Sequence, residues 1–193
     1  DKIVSLLEKL PDDCLLILDE AYAEFAPNEA KVPILVDDPR LIRFRTFSKA
    51  YGIAGARIGY GLGSRELIGE FDKIRNHFGN SLLSQVAAIA AIKDQKYLSD
   101  VVKKISLGRE KIYQIAKLNG LTAIPSATNF VAIDCGKDGN FATQVMNGLL
   151  EAKIFVRKPA VAPLDRTIRV TVGRDDDIEL FKNVFPQVLK ASQ

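Results

Sequence analysis

Histidine is almost missing from this chain of 193 residues, with His77 its one representative, and cysteine occurs only twice. A lone histidine supports neither a histidine-bearing metal centre nor, without a partner serine or cysteine, a hydrolytic triad. His77 is therefore expected in loop packing or at an interface, and no metal site is expected. Cys14 and Cys135 stand in apolar, strand-like runs without metal-ligand spacing. Both are expected as buried free thiols, in keeping with a reducing, cytoplasmic compartment. Charge of one sign is not in excess either: 27 Lys and Arg against 24 Asp and Glu leave a net +3, with no long basic run. That removes the usual reason to expect nucleic acid or a membrane surface as partner. No apolar stretch approaches the length needed to cross a bilayer. The opening Asp1-Lys2-Ile3-Val4-Ser5-Leu6-Leu7 begins with an acid and has no apolar core followed by a cleavage site, so this segment is not expected to be a signal peptide. It also has no initiator methionine, and the chain reads as a piece of something longer. Internal repeats and low-complexity segments are absent.

What is present is ordinary globular material, 47% hydrophobic and 26% charged, enough for one substantial domain or one domain and part of another. Residues 3–10 have helical spacing and stop before Pro11. Cys14-Leu15-Leu16-Ile17-Leu18-Asp19 is a continuous apolar run ending in an acid, the pattern of a strand buried on both faces of a parallel sheet. Residues 23–40 read as an irregular connection with a helical turn. Leu41-Ile42-Arg43-Phe44-Arg45 alternates like a strand, and Arg57-Ile58-Gly59-Tyr60-Gly61-Leu62 reads as another. Ser64 and Ser81 are suited to cap helices, the second being the strongly apolar stretch from Leu82 to Ile92. Helical periodicity from Tyr97 to Leu118 ends at Asn119-Gly120, a C-terminal stop. Thereafter strands (129–134, 154–157, 167–172) alternate with helices (142–152, 175–189), predicting a small α+β module. The fold class is α/β, with part of a larger domain over residues 1–105 and a small α+β domain over residues 106–193.

The chemistry concentrates in Thr46-Phe47-Ser48-Lys49-Ala50-Tyr51-Gly52, with Arg57 eight residues beyond Lys49 and Asp19-Glu20-Ala21-Tyr22 upstream. An unprotonated lysine amine forms a Schiff base with an aldehyde. Hydroxyls and a planar guanidinium suit a phosphate. An aspartate at a strand's carboxyl end stands where α/β proteins bind ligands and can partner a ring nitrogen. Each residue has a plainer alternative: a surface lysine, a helix-capping aspartate, a packed Tyr22, an Arg57 in a weak surface ion pair. Their coincidence favours a pyridoxal phosphate (PLP) site. Arg157 and Arg169 in the C-terminal strands, with Arg174 just beyond, need an anion if buried, either an internal carboxylate or a ligand. The glycines Gly59, Gly61 and Gly63 do not make a dinucleotide loop, because the spacing is wrong and they lie within and after a strand.

Together these segments resemble the class I/II aminotransferases of PLP fold type I, most closely the histidinol-phosphate aminotransferase family. The resemblance rests on Asp19-Glu20-Ala21-Tyr22-x-Glu24-Phe25, on Thr46-Phe47-Ser48-Lys49-Ala50-Tyr51-Gly52-x-Ala54-Gly55-x-Arg57-Ile58-Gly59-Tyr60, on Pro125-Ser126-x-x-Asn129-Phe130, and on Ile168-Arg169-Val170-Thr171-Val172-Gly173. It implies a mixed, mostly parallel sheet with helices followed by a small domain, this chain being the C-terminal part. Lys49 would hold PLP covalently and shuttle the proton, with Asp19 on the pyridine nitrogen and Tyr22 on the ring's phenolic oxygen. Thr46, Ser48 and Arg57 would hold the phosphate. Arg169, with Arg157 nearby, would grip the substrate's anionic group. The implied reaction exchanges an amino group between histidinol phosphate, or a related aromatic amine, and 2-oxoglutarate. A homodimer is implied, because the family builds its sites at a subunit boundary. Asn76-His77-Phe78-Gly79-Asn80 departs from the family's Pro-Tyr-Asn-Val-like segment, leaving the preferred amine open. A PLP-dependent decarboxylase on the same scaffold, or a catalytically incomplete fragment, are the alternatives.

Overall fold

The carboxyl end of an apolar strand is the first thing the fold puts to use. In the computed structural model, which describes residues 2–31 and 37–193, a short helix α1 (Lys2–Leu7) precedes β1 (Leu16–Asp19). β1 pairs in parallel with β2 (Leu41–Thr46), and β2 pairs antiparallel with β3 (Gly59–Leu62), giving the order β1-β2-β3. Parallel pairing needs a long return. It is made by residues 20–40, through 3-10 turns at Ala23–Phe25 and Asn28–Ala30. The middle of that predicted irregular connection, residues 32–36, lies outside the described residues.

Three expectations change here. Among the described residues β1 is an edge strand, not one buried on both faces, and Ile17 is 65% exposed. Cys14 is exposed, because it precedes the strand in a turn closed by its amide on the Pro11 carbonyl (3.1 Å); Cys135 is buried. The strand predicted from Arg57 begins only at Gly59, since Arg57 adopts a left-handed backbone (φ 51°) that ends a 3-10 turn.

Helix α2 (Arg65–Phe71) is capped by Ser64, whose Oγ accepts from the Leu67 amide at 3.3 Å. Ser81 Oγ likewise accepts from the Ser84 amide at 3.1 Å to start α3 (Leu82–Lys93). Asp94 then receives the Tyr97 amide and opens α4 (Gln95–Leu118). α3 is apolar on every side, with Leu82, Leu83, Val86 and Ile89 exposed.

The chain divides into two compact units, Asp1–Asp100 and Val101–Gln193. In the second, β4 (Thr122–Ile124), β5 (Phe130–Asp134) and β6 (Thr167–Thr171) form an antiparallel sheet in that order. The three-residue β4 escapes a sequence reading because it is too short for alternation to register. The segment 154–157 is not the predicted strand; it meets β6 through one isolated bridge between Arg157 and Arg169. Amphipathic helices α5 (Gly139–Glu151) and α6 (Asp175–Ala191) cover one face of this sheet with the second half of α4. Val131 and Ile133 of β5, Ile168 and Val170 of β6, Val145 and Leu149 of α5, and Phe185 of α6 are all nearly inaccessible. α4 stops as predicted at Gly120, which takes φ +68° and lets the Leu121 amide return to the Ala116 carbonyl. Among the described residues, no helix is long and apolar enough to cross a membrane.

Candidate active site

Parallel strands end at the same edge of a sheet, and this brings Asp19 and Lys49 into one neighbourhood. Asp19 is registered against Phe44, so the end of β1 lies beside the end of β2, and Thr46, Ser48 and Lys49 follow immediately. β3 runs the other way, with Gly59 opposite Thr46; its beginning, and Arg57 just before it, therefore fall at that same edge. Tyr22, after the turn that follows β1, carries the Lys49 amine over its ring at 5.3 Å from the centroid. The first unit thus gathers Asp19, Tyr22, Thr46, Ser48, Lys49 and Arg57 at one sheet edge.

Local bonds shape that edge. Asp19 Oδ1 accepts from the Ala21 amide (2.9 Å), turning the chain off the strand. Thr46 Oγ1 accepts from the Ser48 amide (3.0 Å) and does the same for β2. Phe47, Ala50 and Tyr51 are buried, with Phe47 and Tyr51 rings 4.9 Å apart, while Ser48 and Lys49 stay partly open to solvent. The apolar residues on either side of Lys49 thus anchor its loop. Gly52, at φ +74°, closes the loop through its amide on the Lys49 carbonyl (3.0 Å). Arg57 is exposed and donates from Nη1 to the Ala54 carbonyl (2.9 Å).

Successive strand residues face opposite ways. Asp19, Phe44 and Thr46 share one face with Gly59 and Gly61 of β3; a Cβ at Gly59 would lie 2.6 Å from the Arg45 carbonyl. The opposite face carries Glu20, Arg43, Arg45 and Tyr60. Arg43 grips Glu20 with a two-pronged fork, Nε to Oε2 at 2.8 Å and Nη2 to Oε1 at 2.6 Å, and Arg45 Nε adds a third bond at 3.1 Å. Burial alone would raise the Glu20 pKa, but the hydrogen bonds from Arg43 and Arg45 and their charges outweigh it and hold the carboxyl below its ordinary range. Glu24 differs: burial pushes its pKa up, and its Oε2 is enclosed without a hydrogen-bond partner.

In the second unit Arg157 and Arg169 are neighbours through reciprocal backbone bonds across their bridge. The Arg169 guanidinium lies over the Phe130 ring, 4.4 Å from its centroid, and its Nε is buried without a hydrogen-bond partner. A guanidinium resting on an aromatic face keeps its donors for an anion. Arg157 is exposed. Cys135, its thiol pushed up to about 11 by burial first and then by Asp134, is no nucleophile. No group of three or more His, Cys, Asp or Glu among the described residues is placed to hold a metal.

Glu20, Glu24 and Phe130 stand in the sequence motifs without a role; the Glu20 cluster, the enclosed Glu24 oxygen and the Phe130 shelf under Arg169 emerge only in the structure. The signal for the first was available in Arg43 and Arg45, two charges at strand alternation where apolar residues would be expected. Nothing local marks Phe130 as the partner of Arg169.

Residues 1–182 match the family described as aminotransferase class I and II. A histidinol-phosphate aminotransferase from Geobacillus sp. (strain WCH70) is 40% identical over 100% of this chain and 53% of its own length. The crystal structure of histidinol-phosphate aminotransferase from Sinorhizobium meliloti, in complex with pyridoxal-5'-phosphate, superposes with a TM-score of 0.97 at 49% identity, again over 100% of this chain and 53% of that one. The L-threonine-O-3-phosphate decarboxylase from Porphyromonas gingivalis, 24% identical with a TM-score of 0.81 over 98% of this chain and 59% of that one, shares the fold. The chain spans about half the length of the curated relatives it matches. With Asp19, Ser48 and Lys49 set by a parallel strand pair, and a family match running almost from end to end, this chain belongs to the class I and II aminotransferases.

Proposed function

We propose that the protein is a PLP-dependent aminotransferase that moves an amino group between histidinol phosphate, or a related aromatic amine, and 2-oxoglutarate. The observation that carries the reading is the parallel register of β1 and β2, which sets Asp19 beside the Thr46-Phe47-Ser48-Lys49 turn at one sheet edge. The donor set fits the cofactor: a primary amine, two hydroxyls and an exposed guanidinium for the phosphate, and a carboxylate at the neighbouring strand end. The names and identities of the relatives support the substrate class.

When bound, PLP supplies an aldehyde to capture amines and a ring that accepts an electron pair. Lys49 Nζ would be the group that holds it, and as a free amine would serve as the base that takes the substrate's α-proton and returns it. Asp19 keeps a proton on the ring nitrogen. Tyr22 donates to the phenolic oxygen from the turn that also places its ring beside Lys49. Ser48, Thr46 and Arg57 hold the phosphate. Arg169, its Nε unsatisfied and its guanidinium braced on Phe130, receives the substrate's anionic group, with Arg157 adjoining. The reading includes a homodimer working in the cytoplasm; the exposed apolar sides of α3 support a covered surface there.

The test uses the protein at its full native length. After incubation with PLP and reduction by borohydride, the cofactor's mass is expected on the Lys49 peptide, and glutamate should form from histidinol phosphate and 2-oxoglutarate. The Lys49→Ala variant should show neither. Carbon dioxide as the main product, or labelling scattered over surface lysines, would overturn the assignment.

A further inference from the structure

The Glu20 cluster is built more expensively than a fold of this size needs. Arg43 is 1% exposed and Glu20 8%, so two charges have been taken out of water; Arg45 is partly covered at 24%. A buried ion pair seldom stabilises more than apolar side chains of the same volume would, because desolvation cancels most of the attraction. What an apolar pair cannot supply is direction. The fork between Arg43 and Glu20 fixes both the distance and the angle of the two groups, and the Arg45 bond fixes a third line. All three lines run between the end of β1 and β2.

That is where lengthwise play would matter most. β1 is an edge strand with β2 its one strand neighbour among the described residues. Its ladder is four residues long, prolonged by the Glu20 amide on the Phe44 carbonyl at 2.9 Å. On the face opposite Glu20, Asp19 ends β1 and Thr46 ends β2, with Ser48 and Lys49 in the turn that follows. On the reading given above, Asp19 would hold the ring nitrogen of the cofactor, Lys49 its aldehyde carbon, and Thr46 and Ser48 its phosphate, so that one small molecule spans both strand ends. A shift of one strand end along the other would move Asp19 relative to Lys49 with nothing in the ring to absorb it.

We propose that Glu20 is a positioning residue: with Arg43 and Arg45 it locks the ends of β1 and β2 from the far face, so that Asp19 and the Lys49 turn keep the spacing the cofactor requires. The inference rests on the proposed PLP function. The lowered pKa of Glu20, set by desolvation and by the two arginines against it, is consistent with a carboxylate that stays ionised and clamped. The charged and titratable groups influencing it are Arg43, Arg45 and, through Arg45, Tyr60, together with Glu24.

The experiment compares the full-length protein with Glu20→Gln and with the apolar double variant Glu20→Leu/Arg43→Met. Three quantities are read: PLP dissociation constant, the pH at which the visible band of the Lys49-bound cofactor titrates, and the melting temperature without cofactor. Glu20→Gln should weaken PLP roughly 10- to 100-fold, the loss that follows removal of groups orienting a metal's ligands, and should move the titration of the band. The double variant should recover the melting temperature yet keep weak PLP binding and a displaced titration. Recovery of all three in the double variant would mean that Glu20 merely neutralises Arg43, overturning the proposal. So would a Glu20→Gln protein that melts early but binds and titrates PLP normally. If the unaltered protein forms no reducible adduct on Lys49, the aminotransferase reading itself fails and takes this inference with it. An altered variant beside a normal parent separates the two.

Discussion

At the scale of single residues, the site pairs groups whose surroundings push them in opposite directions. Glu20 is held ionised by two guanidiniums, whereas Glu24 is held toward its neutral form by burial. The sign of the second has a consequence. A carboxyl whose folded pKa is raised binds its proton more tightly folded than unfolded, so its contribution is fully present at acid pH and is lost as pH rises through the folded value. Glu24→Gln is therefore expected to raise the melting temperature near neutral pH, with the gain shrinking toward about pH 4. Thermal melts of parent and variant across that range check it, and a pH-independent difference would count against the buried charge. Asp19 lies on the other side of the strand and has a catalytic role in the proposed reaction. Asp19→Ala should slow transamination by at least about a hundredfold, the order found when a preorganised electrostatic partner is removed. Lys49 should still take up PLP covalently, and steady-state rates beside adduct mass would register both.

Elements are held together where side chains are smallest. α4 meets the end of β6 and the start of α6 at Gly108, which is buried; a Cβ there would collide with the Val172 side chain and press on Ile178. Val172 is β-branched and itself buried, so it has little freedom to yield. Gly108→Ala is expected to destabilise the protein by about 1–3 kcal/mol, as overpacking does, and to leave labelling of Lys49 intact. Denaturant unfolding measures the first, adduct mapping the second. Elements also explain the exposed apolar residues. A helix that is apolar on every side, as α3 is, and an apolar edge strand such as β1 are patterns of buried elements. Here they belong to a chain that spans about half the length of its relatives.

For the molecule as a whole, the two units differ in how their cores are closed. In Val101–Gln193 the three helices and three strands enclose one continuous core from Ile112 to Leu189. In Asp1–Asp100 the cluster around Phe47, Tyr51 and Ala88 is small, and β1 presents Ile17 to solvent. Opening free energy follows local packing. Amide hydrogen exchange on the 193-residue chain is thus expected to be slowest in β5, β6 and α5 and fastest along β1 and the turn to Tyr22. Uniform protection across both units would contradict this. Raising protection at β1 by adding PLP would link that edge directly to the cofactor.

The sequence by itself determined the local elements and the family resemblance. A lysine between two hydroxyl-bearing positions and a buried aromatic, an aspartate ending an apolar run, serines that cap α2 and α3, and the glycine that stops α4 are all short-range features, and short-range sterics and hydrogen bonding suffice to place them. Only the tertiary structure decided which face each side chain takes and who its partner is. Among the described residues it made β1 an edge strand, and it left Cys14 in solvent. It reduced the strand predicted around Arg157 to one bridge, set Phe130 beneath Arg169, and turned Arg43 and Arg45 from oddities of alternation into a clamp on Glu20. Burial and pairing depend on residues distant along the chain, and a sheet's edge is defined by which strands stand beside it, so neither is written in the periodicity of any one segment.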